Sequence, residues 1–166
     1  MAEAFDVNQF DYPDLRQVDP EYSKLPEDVY SLRVLKLTLS VNKAGDKPYL
    51  LGQFAVTRHD KYSARRLTHF FNNILDPEKR DMKDLAKLAK VTGVPFSGSF
   101  PEWVANMNQI GPEFVAPVKL VPQFNNVKTV GADGQITWTK EPKNDPTTGE
   151  QELDNKIDFR NVQPAN

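Results

Sequence analysis

The chain has 166 residues, 39% hydrophobic and 27% charged, which fits one domain with a core of its own and no need of covalent staples. It holds no cysteine, so disulfides, thiol nucleophiles and thiolate metal sites are excluded, while 13 prolines and 8 glycines favour turns and strands over long helices. The net charge of -2 hides an uneven distribution: residues 1–30 carry two basic and eight acidic side chains, residues 31–90 thirteen and six, and residues 91–166 six and nine.

A basic middle between acidic ends is the footprint of a polyanion site, although Lys79, Lys83, Lys87 and Lys90 stand at helical spacing and also suit a solvated helix face. The N-terminus lacks a basic region followed by an apolar stretch, and no window reaches the length of a membrane span, so a cytoplasmic protein with no membrane contact is expected.

Residues 1–28 are acidic and interrupted by Pro13, Pro20 and Pro26, which predicts an extended arm with at most one short helical turn. Phe5, Phe10, Tyr12, Leu15 and Tyr22 are candidates for pinning it to the rest. Residues 29–166 read as a single domain. Its first strand runs over about 29–41, where Tyr30, Leu32 and Val34 alternate in one phase and Leu35, Leu37, Leu39 and Val41 in the other. The change of phase would turn every later side chain over unless a bulge absorbs one residue, so the strand is expected to bend in its middle and serve two layers. Turn chemistry at residues 42–47 makes a hairpin with a second strand over 48–57, in which Gly52 relieves crowding. A charged loop over 58–63 leads to a third strand at 64–72.

Asp76-Pro77-Glu78 then opens a helix over about 77–92 that Gly93 ends, and a second short helix starts near Ser99 and ends near Gly111. Strands follow at about 114–121, 127–130 and 136–139, the last two joined as a hairpin. A polar excursion covers about 141–154, and residues 156–160 form a closing strand or a docked tail. The fold class expected is mainly β: an oligonucleotide-binding-type, five- or six-stranded Greek-key barrel with a helix between strands 3 and 4.

Leu25-Pro-Glu-Asp-Val-Tyr30, Pro48-Tyr-Leu-Leu-Gly-Gln-Phe-Ala-Val56, Ala64-Arg-Arg-Leu-Thr-His-Phe-Phe-Asn72, Asp76-Pro77 and Leu85-Ala-Lys-Leu-Ala-Lys-Val-Thr-Gly93 stand in an order that resembles the small single-stranded-DNA-binding proteins of bacteriophages. The resemblance spans about residues 25–95. It implies an oligonucleotide-binding barrel in a phage replication or recombination module, acting in the cytoplasm of a host bacterial cell, with phage or host replication and recombination proteins as further partners. The chain departs from replication-type members at Val162-Gln-Pro-Ala-Asn166, where those carry an acidic, Phe-terminated tail, so recruitment through such a tail is not expected.

Single-strand binding needs cations that follow the phosphates and flat rings on which bases stack. Arg58, Lys61, Arg65 and Arg66 gather around the connection of the second and third strands, with His59, Tyr62, His69 and Phe70 among them. In the third strand Leu67, His69 and Phe71 share one face and Arg66, Thr68 and Phe70 the other, which predicts Arg66 and Phe70 outside, although Phe70 and Phe71 both suit a barrel core. Trp138, followed by Lys140, is a second stacking candidate, whereas Trp103 reads as core. The expected nucleic-acid contacts are therefore Arg58, Lys61, Tyr62, Arg65, Arg66, His69, Phe70, Trp138 and Lys140.

His59 and His69 stand in no zinc-binding spacing, no Gly-rich phosphate loop or nucleophile elbow is present, and Asp145, Thr147, Gly149 and Glu150 lack the other ligands of a calcium loop. Asp76, Asp81 and Asp84 could hold magnesium, but two of them fall on a lysine-rich helix. No catalytic residue, metal or cofactor is expected, and the chain is not expected to be an enzyme. The function expected is largely sequence-independent binding of single-stranded DNA. The alternative is a phage protein-interaction module that inhibits or recruits a host factor. Sheet edges of an open barrel also allow a homodimer.

Overall fold

The computed structural model describes residues 6–17, 24–96 and 98–165. The chain forms β1 (Asp28–Val41), β2 (Pro48–Thr57), β3 (Arg66–Phe71), α1 (Arg80–Thr92), α2 (Phe100–Ile110), β4 (Glu113–Pro122), β5 (Phe124–Val130), β6 (Ile136–Pro142), β7 (Leu153–Ile157) and the short β8 (Gln163–Pro164). A six-stranded antiparallel sheet runs in the order β3-β2-β1-β4-β7, with β8 also on β4, and β5 and β6 make a separate two-stranded sheet.

β1 organises the fold for the reason its sequence announces. Its register against β2 slips between Val34 and Lys36, leaving Leu35 as the extra residue of a bulge. Ahead of the bulge β1 pairs with both β2 and β4, while beyond it only β2 continues alongside. Tyr30, Leu32, Val34 and Leu37 are thereby all buried despite the change of phase. The released edge is not left bare at Leu37: the Asn108 side chain on α2 accepts its N–H at 2.6 Å and donates to its carbonyl at 2.8 Å, replacing a strand partner.

The core lies beneath the sheet and is rich in aromatic rings. Phe54, Phe71, Phe114 and Phe159 meet with centroids 5.2–6.1 Å apart, and α1 and α2 cover them with Leu85, Leu88, Trp103 and Met107. Trp103 is buried as expected, its indole N–H donating to the Val94 carbonyl at 3.2 Å. Gly52 has a steric duty, since a Cβ there would stand 2.6 Å from the Phe54 ring.

Four expectations change. The sheet is open: β3 and β7 lie at its two ends and form no ladder among the described residues. They do run side by side, because Ala64–Thr68 face Asp154 and Asn155 across a groove, while His69 and Phe71 meet Phe159 just past β7. Second, α1 starts at Arg80, not 77. Asp76 does accept the Glu78 N–H at 2.9 Å, but it caps a separate turn, and Asp81 is occupied instead in accepting the N–H groups of Asn72 and Asn73. Third, the arm holds two 3-10 turns, Val7–Gln9 and Leu15–Gln17, and the side chains of Phe10, Tyr12 and Leu15 are exposed; Phe5 and Tyr22 lie outside the described residues. Fourth, the closing strand falls at 153–157, followed by a 3-10 turn over Phe159–Asn161. No helix is long and apolar enough to cross a membrane among the described residues.

Candidate nucleic-acid interface

Strand register sorts the side chains of β1, β2 and β3 into two faces. Leu67 with Phe54 and Val34, His69 with Gly52 and Leu37, and Phe71 with Leu50 and Leu39 form cross-strand rungs on the inner face. The outer face consists of the alternate rungs: Arg66, Ala55 and Arg33; Thr68, Gln53 and Lys36; Phe70, Leu51 and Thr38; and finally Tyr49 and Ser40. Phe70 is 53% exposed, and its ring lies 6.1 Å from that of Tyr49, tilted by 48°. A tilted pair of rings thus lies on the outer face, Phe70 exposed and Tyr49 half-buried, with exposed Lys36 on the next rung and exposed Arg66 one rung further. Arg66 makes no ion pair among the described residues.

The other cations are more committed. Arg58 and Arg33 both bind Glu113, at 3.0 and 2.7 Å, so one carboxylate at the start of β4 gathers two guanidinium groups on this face. Arg65 is half-buried and engaged, its carbonyl accepting the Val56 N–H and its N–H donating to the Tyr62 carbonyl. The loop that places these residues is tied by its own hydrogen bonds. His59 Nδ1 accepts the N–H groups of Lys61 and Tyr62, the Ser63 hydroxyl donates to the His59 carbonyl, and Arg58 and Ala64 take the left-handed conformation, with φ of 54° and 71°. Non-glycine residues hold such angles only where the surroundings enforce them.

Three nominated residues are placed otherwise than their role requires. His69 faces the core, edge-on to Phe71 at 4.5 Å and Phe159 at 4.9 Å. Burial, reinforced by nearby Lys156, lowers its pKa to about 4, so the imidazole is neutral and offers no cation at physiological pH. Tyr62 is half-buried against the core, its ring covered by Tyr30, His59 and the Lys61 ammonium 5.4 Å from its centroid, and it presents no open platform. Arg58 is a partner of Glu113 before it is anything else.

Trp138 and Lys140 sit on β6, opposite Lys128 and Asn126 of β5, and all four are exposed. They share one face of the hairpin. Trp138 is 65% exposed, the largest open ring beyond the β1–β2–β3 surface. The hairpin grows from a firm base, where Gln123 and Lys143 N–H groups donate to the carbonyls of Glu152 and Gln123 at 2.8 and 2.9 Å.

Sequence reasoning missed Tyr49, Lys36, Arg33 and Lys128. Each sat in plain view, but only pairing brings Tyr49 beside Phe70, Lys128 opposite Trp138, and Lys36 and Arg33 onto the same sheet face as Arg66; the signal available was the alternation of β2, which puts Tyr49 opposite in phase to the apolar Leu50 and Phe54. No protein-family model matches the sequence, and no curated protein matches it.

Proposed function

We propose that this protein binds single-stranded DNA, largely without sequence preference, on the outer face of β1, β2 and β3. The observation that carries the reading is the exposed Phe70 ring, with half-buried Tyr49 beside it and the exposed Lys36 and Arg66 on the next two rungs of the same face, since base stacking on open rings and cationic contact with phosphates are the two interactions that sequence-independent binding uses. The strand order and the α1–α2 insertion between β3 and β4 support an oligonucleotide-binding barrel left unsealed between β3 and β7. Barrels of that class take their ligands on the second and third strands and on the loops after the first and fourth. Here those loops are residues 42–47 and the β5–β6 hairpin, which supplies Trp138, Lys128 and Lys140. The resemblance to phage single-strand binders supports a place in a phage replication or recombination module, where the bound strand would be kept unpaired.

The test is a fluorescence or mobility titration with single-stranded and duplex oligonucleotides at low and high salt. Tighter binding of the single strand, weakened by salt and by Phe70→Ala, is the expected result. Equal affinity for both forms, or no change in the Arg66→Ala and Phe70→Ala variants, would overturn the assignment of this face.

A further inference from the structure

The outer face ends at Tyr49 of β2 and Phe70 of β3, and the chain just past those two residues builds a groove of about 150 Å³. Lys47 and Pro48 form one wall, and Asn72, Asn73, Leu75 and Lys79 form the other. The space would hold roughly five waters, which is the scale of one heterocyclic base.

Both walls are held in place. Asp81 on α1 accepts the N–H groups of Asn72 and Asn73 at 2.9 and 3.0 Å, Ile74 between them and Leu75 is buried, and the Lys79 N–H donates to the Asp76 carbonyl at 3.1 Å. On the other side the Asn42 side chain accepts the N–H groups of Asp46 and Lys47 at 3.1 and 3.2 Å. What these walls present is chemically mixed. Leu75, 75% exposed, and Pro48 supply apolar surface. The Asn72 and Asn73 side chains are exposed, and each amide can both donate and accept. Lys47 and Lys79 are exposed and make no ion pair among the described residues. The Asp76 carboxylate, also at the rim, already accepts the Glu78 N–H at 2.9 Å.

We propose that this groove is a nucleotide subsite, in which a single strand leaving Phe70 sets one base against Leu75 and Pro48. The edge of that base meets the Asn72 and Asn73 amides, and the flanking phosphates meet Lys47 and Lys79. An amide that donates and accepts finds a partner on every base, so the subsite lengthens the footprint without imposing a sequence. It rests on the reading that the strand lies over Phe70, and it adds a course for that strand, from Arg66 across Phe70 toward the start of α1.

Oligothymidylates of graded length, about 4 to 16 nucleotides, titrated at several salt concentrations separate the subsite from the face. The shortest one whose affinity falls in Phe70→Ala reports the face alone. Longer strands bind the native chain more tightly, and their logarithmic salt slope steepens by about 1.4, for two further phosphates at about 0.7 each. Lys47→Ala/Lys79→Ala abolishes that steepening, and Asn72→Ala/Asn73→Ala weakens the long strands roughly tenfold. Both variants leave the affinity for the short strand unchanged. In NMR spectra the side-chain amide signals of Asn72 and Asn73 shift on adding the long strand and not the short one. If the short strand binds through Phe70 but the length step survives both double variants, or the amide signals stay in place, the subsite is overturned and the face stands. If no length binds, or none responds to Phe70→Ala, face and subsite fall together.

Discussion

Phe70 and His69 are neighbours in sequence with opposite fates, and the difference lies in one step of strand alternation. Phe70 projects outward beside Tyr49, so Phe70→Ala removes a stacking surface and is expected to weaken single-strand binding by about 1–3 kcal/mol per base lost, with little change in thermal stability. His69 projects inward and prefers to stay neutral. Its folded pKa of about 4 lies below the ordinary value of 6.5, so the unfolded chain binds more protons in the window between them. The stability that this preference contributes is present above pH 6.5 and is lost as pH falls toward 4. A melting series over that window for the native chain and His69→Phe should show the native protein losing stability more steeply, by up to about 3 kcal/mol. Parallel curves for the two would mean that the imidazole titrates freely. The alternation of β3 had already grouped His69 with Leu67 and Phe71, and its nomination as a DNA contact followed residue type over phase.

At the scale of elements, β1 was the most legible part of the chain. The slip of apolar phase at Val34–Leu35 is a local signal, and it forced the bulge that the register displays. The hairpin of β1 and β2, the outward turn of Arg66 and Phe70, the burial of Trp103 and the left-handed Gly93 were legible for the same reason, since each rests on neighbours in sequence. The clamp of Asn108 on Leu37 was not, because 71 residues separate them. Asn108→Ala strands the N–H and carbonyl of Leu37 at an unpaired edge and is expected to cost about 1–3 kcal/mol in a denaturant titration. The β5–β6 hairpin offers the contrasting case. Its strands are almost wholly exposed and belong to no other sheet, so replacing residues 124–142 by a short turn between Gln123 and Lys143 should move the melting temperature by only a few degrees. The same deletion should weaken strand binding, through the loss of Trp138, Lys128 and Lys140. A large fall in melting temperature would show that the hairpin braces the core.

For the molecule as a whole, a net charge of -2 means that attraction to a polyanion must come from local field and not from total charge. Phosphate contacts by Lys36, Lys61, Arg66 and Lys140 would give a logarithmic salt slope of about -3, so that a roughly fourfold rise in salt weakens single-strand binding by about 50-fold. A flat salt response in the same titration would remove the electrostatic part of the reading. The charge distribution along the chain pointed to this middle region, but it counted Arg33 and Arg58 as open cations. Their engagement by Glu113 comes from β4, far along the sequence, and no composition window reports it.

That shared carboxylate has a consequence for how a strand would arrive. Long arginine side chains ordinarily sample many rotamers, and arresting them is part of what any docking anion must achieve. Glu113 has already arrested two of them at the start of β4 and answered their charge, so an incoming phosphate would have to displace that carboxylate to use either.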